Sequence, residues 1–110
     1  MKVLVCGGRM YDDRSCVFRI LDALHAEKTI TLVLHGVADG ADMMADAWAF
    51  DRKVETLRFP AWRYASPIAR NDAMLREGNP GLVIAFPGGS GTADMVARAR
   101  AAGVRVIRVS

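Results

Sequence analysis

The sequence has few of the features that mark secreted, membrane-bound or metal-binding proteins. Its two cysteines, Cys6 and Cys16, form no C-x-x-C pair and show no cysteine–histidine spacing typical of a zinc site. No apolar run approaches the roughly 18 residues that a membrane span requires. The apolar start of the chain is interrupted at Gly7 and Gly8, too early for a secretory leader. We therefore expect a reduced, cytoplasmic protein with no targeting signal and no membrane partner.

Runs of like charge and clusters of aromatic residues are also absent. Fifteen Lys and Arg residues oppose twelve Asp and Glu, for a formal net charge of +3, and they are spread along the chain. A nucleic-acid-binding surface would need a basic stripe or an aromatic platform. The composition therefore makes nucleic acid the least favoured partner, while it suits a small phosphate-bearing ligand.

The 110 residues do contain a regular alternation of apolar strand-like runs and helix-period segments. A chain of this length with 52% hydrophobic residues can build one ordinary core, so we expect one domain over residues 1–110. The alternation predicts an α/β, Rossmann-like three-layer sandwich around a five-stranded parallel sheet. The predicted strands are 3–6, 31–35, 55–59, 82–86 and 105–109, and the predicted helices are 14–26, 40–52, 67–77 and 92–102.

The most informative segment is a strand that runs through a glycine-rich turn into a helix. Five apolar residues at 82–86 suit a strand covered on both faces, and the glycines that follow let main-chain amides approach an anion. Ser90 or Thr92 is expected to cap the next helix, whose first N–H groups face the turn. The turn is therefore predicted to hold phosphate, through Pro87, Gly88, Gly89, Ser90, Gly91 and Thr92.

Two other strand-to-helix junctions carry glycine and polar residues, at 7–9 and 35–42. Because the carboxyl ends of parallel strands meet at one edge of a sheet, the three junctions together predict a nucleotide cleft. The phosphate turn has no lysine before Ser or Thr, and Asp94 stands where a dinucleotide motif needs its third glycine. ATP hydrolysis and hydride transfer therefore lose support, and no cofactor is predicted.

The phosphate turn and the segment Arg70-Asn71-Asp72-Ala73-Met74 resemble the SLOG superfamily of Rossmann-like nucleotide-binding proteins, and in particular its small YspA-like branch. The similarity includes Gly7-Gly8-Arg9 and His35-Gly36 and extends over nearly all of the chain. It implies that these residues, together with Asp42, contact a nucleotide or nucleotide-derived ligand, and that the protein can form a homodimer.

The superfamily includes the Lonely Guy phosphoribohydrolases, which cleave the N-glycosidic bond of nucleoside monophosphates with an arginine and a glutamate. The resemblance places Arg70 on that arginine but Met95 on that glutamate. A carboxylate stabilises the charge that develops on the ribose, and a thioether does not. Asp94 is adjacent, but neighbouring helical residues point about 100° apart. The sequence therefore favours a sensor or sequestering module over a hydrolase with Arg70 and Asp94 as catalytic residues.

Several candidates leave two interpretations open. Arg70 and Arg9 are the expected phosphate clamps, because a guanidinium pairs bidentately with phosphate oxygens, but either could be a solvated surface residue. Asn71 reads a base or ribose edge or caps its helix. His35 acts on the ligand, as an acid, a base or a donor to phosphate, or is structural. Asp94 contacts ribose hydroxyls or complements the helix dipole.

Three aspartates at the start of the second helix invite a metal interpretation. Capping explains them better, because Asp39 is placed at the N-cap and Asp42 in the capping-box position, while Asp46 suits a solvated face. We therefore predict no metal site.

Two further features of the sequence remain ambiguous. Trp62 and Tyr64, in the irregular segment 60–66, either stack on a base with help from Arg63 or pack the segment onto the sheet. Cys6 is expected to be a buried strand residue rather than a nucleophile.

Overall fold

The computed structural model describes residues 1–110 as five parallel strands and four α-helices, in the predicted order. The strands are β1 (Lys2–Cys6), β2 (Leu32–His35), β3 (Glu55–Arg58), β4 (Leu82–Ala85) and β5 (Arg105–Arg108), and the helices are α1 (Arg14–Glu27), α2 (Ala41–Asp51), α3 (Pro67–Gly78) and α4 (Ser90–Ala101). The Rossmann-like architecture is confirmed. No helix combines the length and the apolar character needed to cross a membrane.

The sheet has the strand order β3-β2-β1-β4-β5. In the central strand, Leu4 pairs with Leu34 on one side and with Val83 on the other. Because successive side chains of a strand point to opposite faces, Val3 and Val5 pack toward α1 and α2, whereas Leu4 packs toward α3 and α4. The two faces are therefore covered by two helices each, which makes the three layers.

The larger of the two cores lies between the sheet and the α1–α2 layer. Trp48 is fully buried there, and its indole Nε1 donates a hydrogen bond to Asp22 Oδ1 at 2.9 Å. The other core holds Met74 and Met95 against Leu4 and Val83. Neighbouring strands β1 and β4 thus lead into helices on opposite faces, which opens a crevice between their carboxyl ends.

Two helices begin differently from the sequence prediction. α4 starts at Ser90 with Gly89 as its N-cap and no side-chain cap, so the prediction that Ser90 or Thr92 caps it was wrong. α2 has Gly40 as its N-cap, also without a side-chain cap, so Asp39 does not serve as one. Only Gly40 needs to be glycine for packing, because its φ is 83° and a Cβ there would overlap Gly8 O, whereas a Cβ on Gly89 would meet nothing within 4 Å. The segment predicted to be irregular contains a 3₁₀ turn at Ala61–Arg63.

Candidate functional site

Glycines let the loops after β1, β2 and β4 meet backbone to backbone. Gly8 N–H donates to Pro87 O at 2.9 Å, and a Cβ on Gly88 would lie 2.6 Å from Gly8 N and would also overlap the hydroxyl of Thr92. A Cβ on Gly40 would overlap Gly8 O. These glycines are therefore required for packing between the loops.

The glycines of the phosphate turn differ in what surrounds them. A Cβ added to Gly89 or Gly91 would meet nothing within 4 Å, so both face open space. Gly88 does not face open space, because Thr92 and Gly8 occupy the position that a Cβ would take. Gly88 is therefore required for packing against the loop after β1, and its contact with phosphate stays a prediction.

A cavity of about 360 Å³ lies at the carboxyl edge of the sheet, in the crevice between β1 and β4. It brings together most of the residues singled out in the sequence. The predicted residues that line it are Gly7, Gly8, Arg9, Gly36, Asp42, Arg70, Asn71, Gly89, Ser90, Gly91 and Thr92. His35, Pro87, Gly88 and Asp94 do not line it.

Arg70 is fixed against the main chain of the loop after β2. Its Nη1 donates to Gly36 O at 3.2 Å, while its Nε is buried and has no hydrogen-bond partner. A Cβ on Gly36 would lie 2.9 Å from Nη1 and 3.0 Å from Cζ, so glycine is what allows the guanidinium to lie there. No carboxylate forms an ion pair with Arg70, although Asp42 is near enough to feel its charge, so the guanidinium lies on the cavity wall without a direct partner.

Asp42 is buried beside the same cavity, with a side chain only 4% exposed. Its Oδ2 accepts hydrogen bonds from Gly36 N at 2.9 Å and from Ala38 N at 3.3 Å, whereas its Oδ1 is buried without a partner. The predicted capping-box role was therefore wrong, because the carboxylate binds the preceding loop instead of its own helix. Burial raises the pKa of Asp42, although His35, the two amides and Arg70 oppose the shift.

Asn71 links α3 to the start of α4. Its Nδ2 donates to Gly91 O at 3.2 Å and to Asp94 Oδ2 at 3.0 Å. Asn71 therefore does not cap its helix; Ser66 does, by accepting from Ala69 N. The contact positions the first turn of α4 relative to Arg70, which precedes Asn71 on α3.

Asp94 is held by two neighbouring side chains and does not line the cavity. Its Oδ2 accepts from Asn71 and also from Arg98 Nε, at 2.9 Å. A carboxylate complements the helix dipole when it lies in the first helical turn. Because α4 begins at Ser90, Asp94 lies beyond that turn. The first-turn role was therefore wrong, and the ribose contact stays a prediction.

Met95, at the position that the resemblance assigns to glutamate, is 1% exposed. It belongs to the core beside Leu4 and Met74 and also lines the cavity. The cavity therefore has an apolar thioether, and no carboxylate, at this position.

His35 is fully buried, and both of its ring nitrogens are occupied. Nδ1 accepts from Val37 N at 3.0 Å, and Nε2 lies 2.8 Å from Asp46 Oδ1. Asp46 in turn accepts two hydrogen bonds from Arg58, both at 3.0 Å. The geometry is that of a structural histidine, since the ring holds Val37 in its left-handed conformation (φ 64°).

The three aspartates predicted as caps or solvated residues have different surroundings. Asp39 is exposed, Asp42 binds the loop after β2, and Asp46 is largely buried between His35 and Arg58. The pKa of Asp46 lies below its usual range: burial works against this shift, but the hydrogen bonds from Arg58 and His35 outweigh it. No group of three or more His, Cys, Asp or Glu side chains is arranged to hold a metal ion.

The two aromatic residues of segment 60–66, Trp62 and Tyr64, have different surroundings. Tyr64 packs toward Phe59, with ring centroids 6.4 Å apart, and so fastens the segment to the sheet. Trp62 is 80% exposed, with the Arg63 guanidinium 5.3 Å from its ring centroid. Ala61, next to Trp62, lines the cavity.

Several lining residues were not predicted, among them Val5, Ala38, Ala61, Pro67 and Met74. Their small or apolar side chains carry no chemical signal in the sequence. Only Pro67 offered a hint, because proline at the first position of a helix indicates that a loop ends there.

Cys6 also lines the cavity, and its thiol is expected to be unreactive. Burial raises the pKa of Cys6 to about 12, nearby Asp42 adds to the effect and Arg108 opposes it. At pH 8 only about one thiol in 10⁴ would then be ionised, and the thiolate is the nucleophile. We expect iodoacetamide at pH 8 to leave Cys6 unmodified in the native protein, as measured by peptide mass spectrometry. Protein unfolded in urea, the control, should react at both cysteines; rapid native labelling of Cys6 would contradict the assignment.

The fold defines a Rossmann-like α/β protein with a cavity at its topological switch point. A family model described as "YAcAr: YspA, cpYpsA-related SLOG family" matches residues 1–64. The chain is also 35% identical over 118 aligned residues to the Gene 61 protein of Mycobacterium phage D29, with 96% of this chain and 94% of the phage protein covered. The chain therefore belongs to the YspA, cpYpsA-related SLOG family, which confirms the resemblance.

Proposed function

We propose that this protein binds a nucleotide or a nucleotide-derived small molecule in the cavity, as a sensor or a sequestering module. The observation that carries the proposal is that Arg70, which forms no ion pair, and the uncapped N-terminus of α4 line one cavity. Family membership supports a nucleotide-related ligand. The cavity volume of about 360 Å³ lies at the lower end of the range for small-molecule sites.

The first turn of α4 has the donors that a phosphate needs. The first intrahelical bond there runs from Ala93 N to Gly89 O, and the amides of Ser90, Gly91 and Thr92 donate to no group within the chain. Such amides at the positive end of a helix bind anions, and no side chain competes for them. Asp94, the nearest acid on the helix, is engaged by Asn71 and Arg98.

Binding is proposed in preference to hydrolysis because of the acid that the cavity lacks. Met95 lines the cavity at the position of the hydrolase glutamate, and Asp94 does not line it. Asp42, the carboxyl group that does, is tied to the loop after β2 and has a raised pKa. No carboxylate therefore stands at the Met95 position, where one would stabilise an oxocarbenium ion.

The proposal predicts that affinity depends on the phosphate group. In isothermal titration of the purified protein, AMP should bind about 10-fold to 100-fold more tightly than adenosine, because charge-assisted hydrogen bonds are worth roughly 1.5–3 kcal/mol. ADP-ribose and cyclic AMP, titrated in parallel, would show how the base side and a second phosphate contribute. Equal affinity for AMP and adenosine, or no binding at millimolar AMP, would contradict the proposal.

The same mixtures distinguish binding from catalysis. After prolonged incubation with AMP, chromatography should detect no adenine above the amount released in buffer alone. Release of adenine that scales with protein concentration would instead identify a nucleoside 5′-monophosphate phosphoribohydrolase.

A further inference from the structure

The unpartnered Oδ1 atom of Asp42 is the one buried carboxylate oxygen in the structure that lacks a hydrogen bond. Leaving such a group without a partner is costly, because its hydration is lost and nothing replaces it. The residue is 4% exposed and lines the cavity described above. The missing partner is therefore best sought in a molecule that occupies the cavity.

The structural role of Asp42 requires only its other oxygen. Oδ2 alone accepts from Gly36 N and Ala38 N and so holds the loop after β2. An asparagine could hold the loop equally well through its amide oxygen. Oδ1 is thus not needed to hold the loop after β2.

The surroundings restrict what that partner can be. No group of three or more His, Cys, Asp or Glu side chains is arranged to hold a metal ion, at Asp42 or elsewhere. Arg70, on the same cavity wall, has no ion-pair partner and would repel an ammonium group. A neutral hydroxyl fits, because it can donate to a carboxylate without adding positive charge beside Arg70.

We propose that Asp42 is a specificity-determining residue whose Oδ1 pairs with a sugar hydroxyl of the ligand, so that the cavity selects a phosphorylated ribose unit over phosphate alone. This inference rests on the proposed function and adds a sugar-binding group to the phosphate-binding groups of the cavity. Arg70 and the α4 amides supply donors for the phosphate, and Asp42 supplies the acceptor. A ribonucleotide presents the complementary groups, an acceptor-only phosphate and two hydroxyl donors, only a few bonds apart.

The test on the ligand side needs no protein variant. Wild-type protein is titrated with AMP, 2′-deoxy-AMP and 3′-deoxy-AMP, which differ by one hydroxyl each. One of the two deoxy analogues should bind about 10-fold more weakly than AMP, because the hydroxyl that it lacks would otherwise pair with Oδ1. If AMP binds and both analogues match it, the inference is overturned while the proposed function stands. If AMP does not bind, both fail.

The test on the protein side replaces the unpaired acceptor, Asp42 Oδ1, by a hydrogen-bond donor. In Asp42→Asn the amide oxygen can keep the bonds to Gly36 and Ala38, which places an NH₂ donor where Oδ1 stood. AMP affinity should fall about 10-fold, the difference between AMP and the discriminating analogue should disappear, and affinity for inorganic phosphate should stay the same. Asp39→Asn, an exposed change of the same charge that does not line the cavity, is the matched control.

An equal loss for AMP, both analogues and inorganic phosphate in Asp42→Asn would show that Asp42 only positions the loop, which overturns the inference. If that variant does not fold, the titrations of the wild-type protein with deoxy analogues still decide the question.

Discussion

Replacing Gly40 with alanine is expected to lower the free energy of unfolding by roughly 2–5 kcal/mol. Gly40 has φ 83°, which L-residues rarely adopt, and an added Cβ would overlap Gly8 O and lie 3.0 Å from Arg9 O. Both neighbours are main-chain atoms, so no side chain can rotate to make room. Since small domains are stable by only about 5–15 kcal/mol, a loss of this size is a large part of the total.

Gly91 provides the matched control for that measurement. It lies within α4, and a Cβ there would meet no atom within 4 Å. Gly91→Ala should leave the free energy of unfolding unchanged or raise it by up to about 1 kcal/mol, because alanine favours the helix. Urea titrations followed by circular dichroism compare the two variants with the wild type. Similar midpoints for Gly40→Ala and the wild type would show that the loops separate easily.

Replacing Arg70 with alanine is expected to weaken AMP binding by about 10-fold to 100-fold, equivalent to the roughly 1.5–3 kcal/mol of charge-assisted hydrogen bonds. The change removes the cavity cation that has no ion-pair partner. Stability should change little, because Arg70 makes one hydrogen bond within the chain, to Gly36 O. Isothermal titration measures the affinity, and thermal unfolding checks the fold.

Arg76→Ala is the control for that loss. It removes the same charge from the same helix, but Arg76 is exposed, pairs with Asp72 and does not line the cavity. Its affinity for AMP should equal that of the wild type within about twofold, as expected for a screened surface charge. If Arg76→Ala and Arg70→Ala lowered the affinity equally, only the overall charge of the protein would matter.

The fold was largely predictable because its signals are local. Buried strands of a parallel sheet are nearly continuous apolar runs, and the last two helices end beside asparagine or glycine, α3 at Asn79 and α4 before Gly103. Asn79, with φ 47°, ends α3 close to the predicted position. The cavity edge followed from the same reasoning, since the carboxyl ends of parallel strands meet at one side of the sheet.

The hydrogen-bond partners of individual site residues were not predictable in this way. Asp42 had a local helix terminus to cap, but it binds amides of the loop after β2, whose path depends on Val37 at φ 64°. Asn71 likewise bonds to α4, 20 residues away along the chain. Such choices depend on tertiary distances that periodicity and capping rules do not contain.

The same limit applies to the glycines. The sequence shows that Gly88 and Gly91 lack a Cβ, but it does not show what occupies the space that the missing atom leaves. At Gly88 that space holds Thr92 and the loop after β1, whereas at Gly91 it is open. Only the assembled loops distinguish a packing glycine from one that faces the cavity.

The pairing of β1 with β4, at the centre of the sheet, also determines when the cavity can form during folding. Leu4 pairs with Val83, so two walls of the cavity, the loops after β1 and β4, come from segments that lie far apart in the sequence. Such a contact closes a long loop and is slow to form, so no partly folded chain that lacks it can present the complete site. A ligand that touches both walls would bind the native state alone and would raise the cost of global unfolding in proportion to the logarithm of its concentration. Resistance to proteolysis would then report occupancy of the cavity.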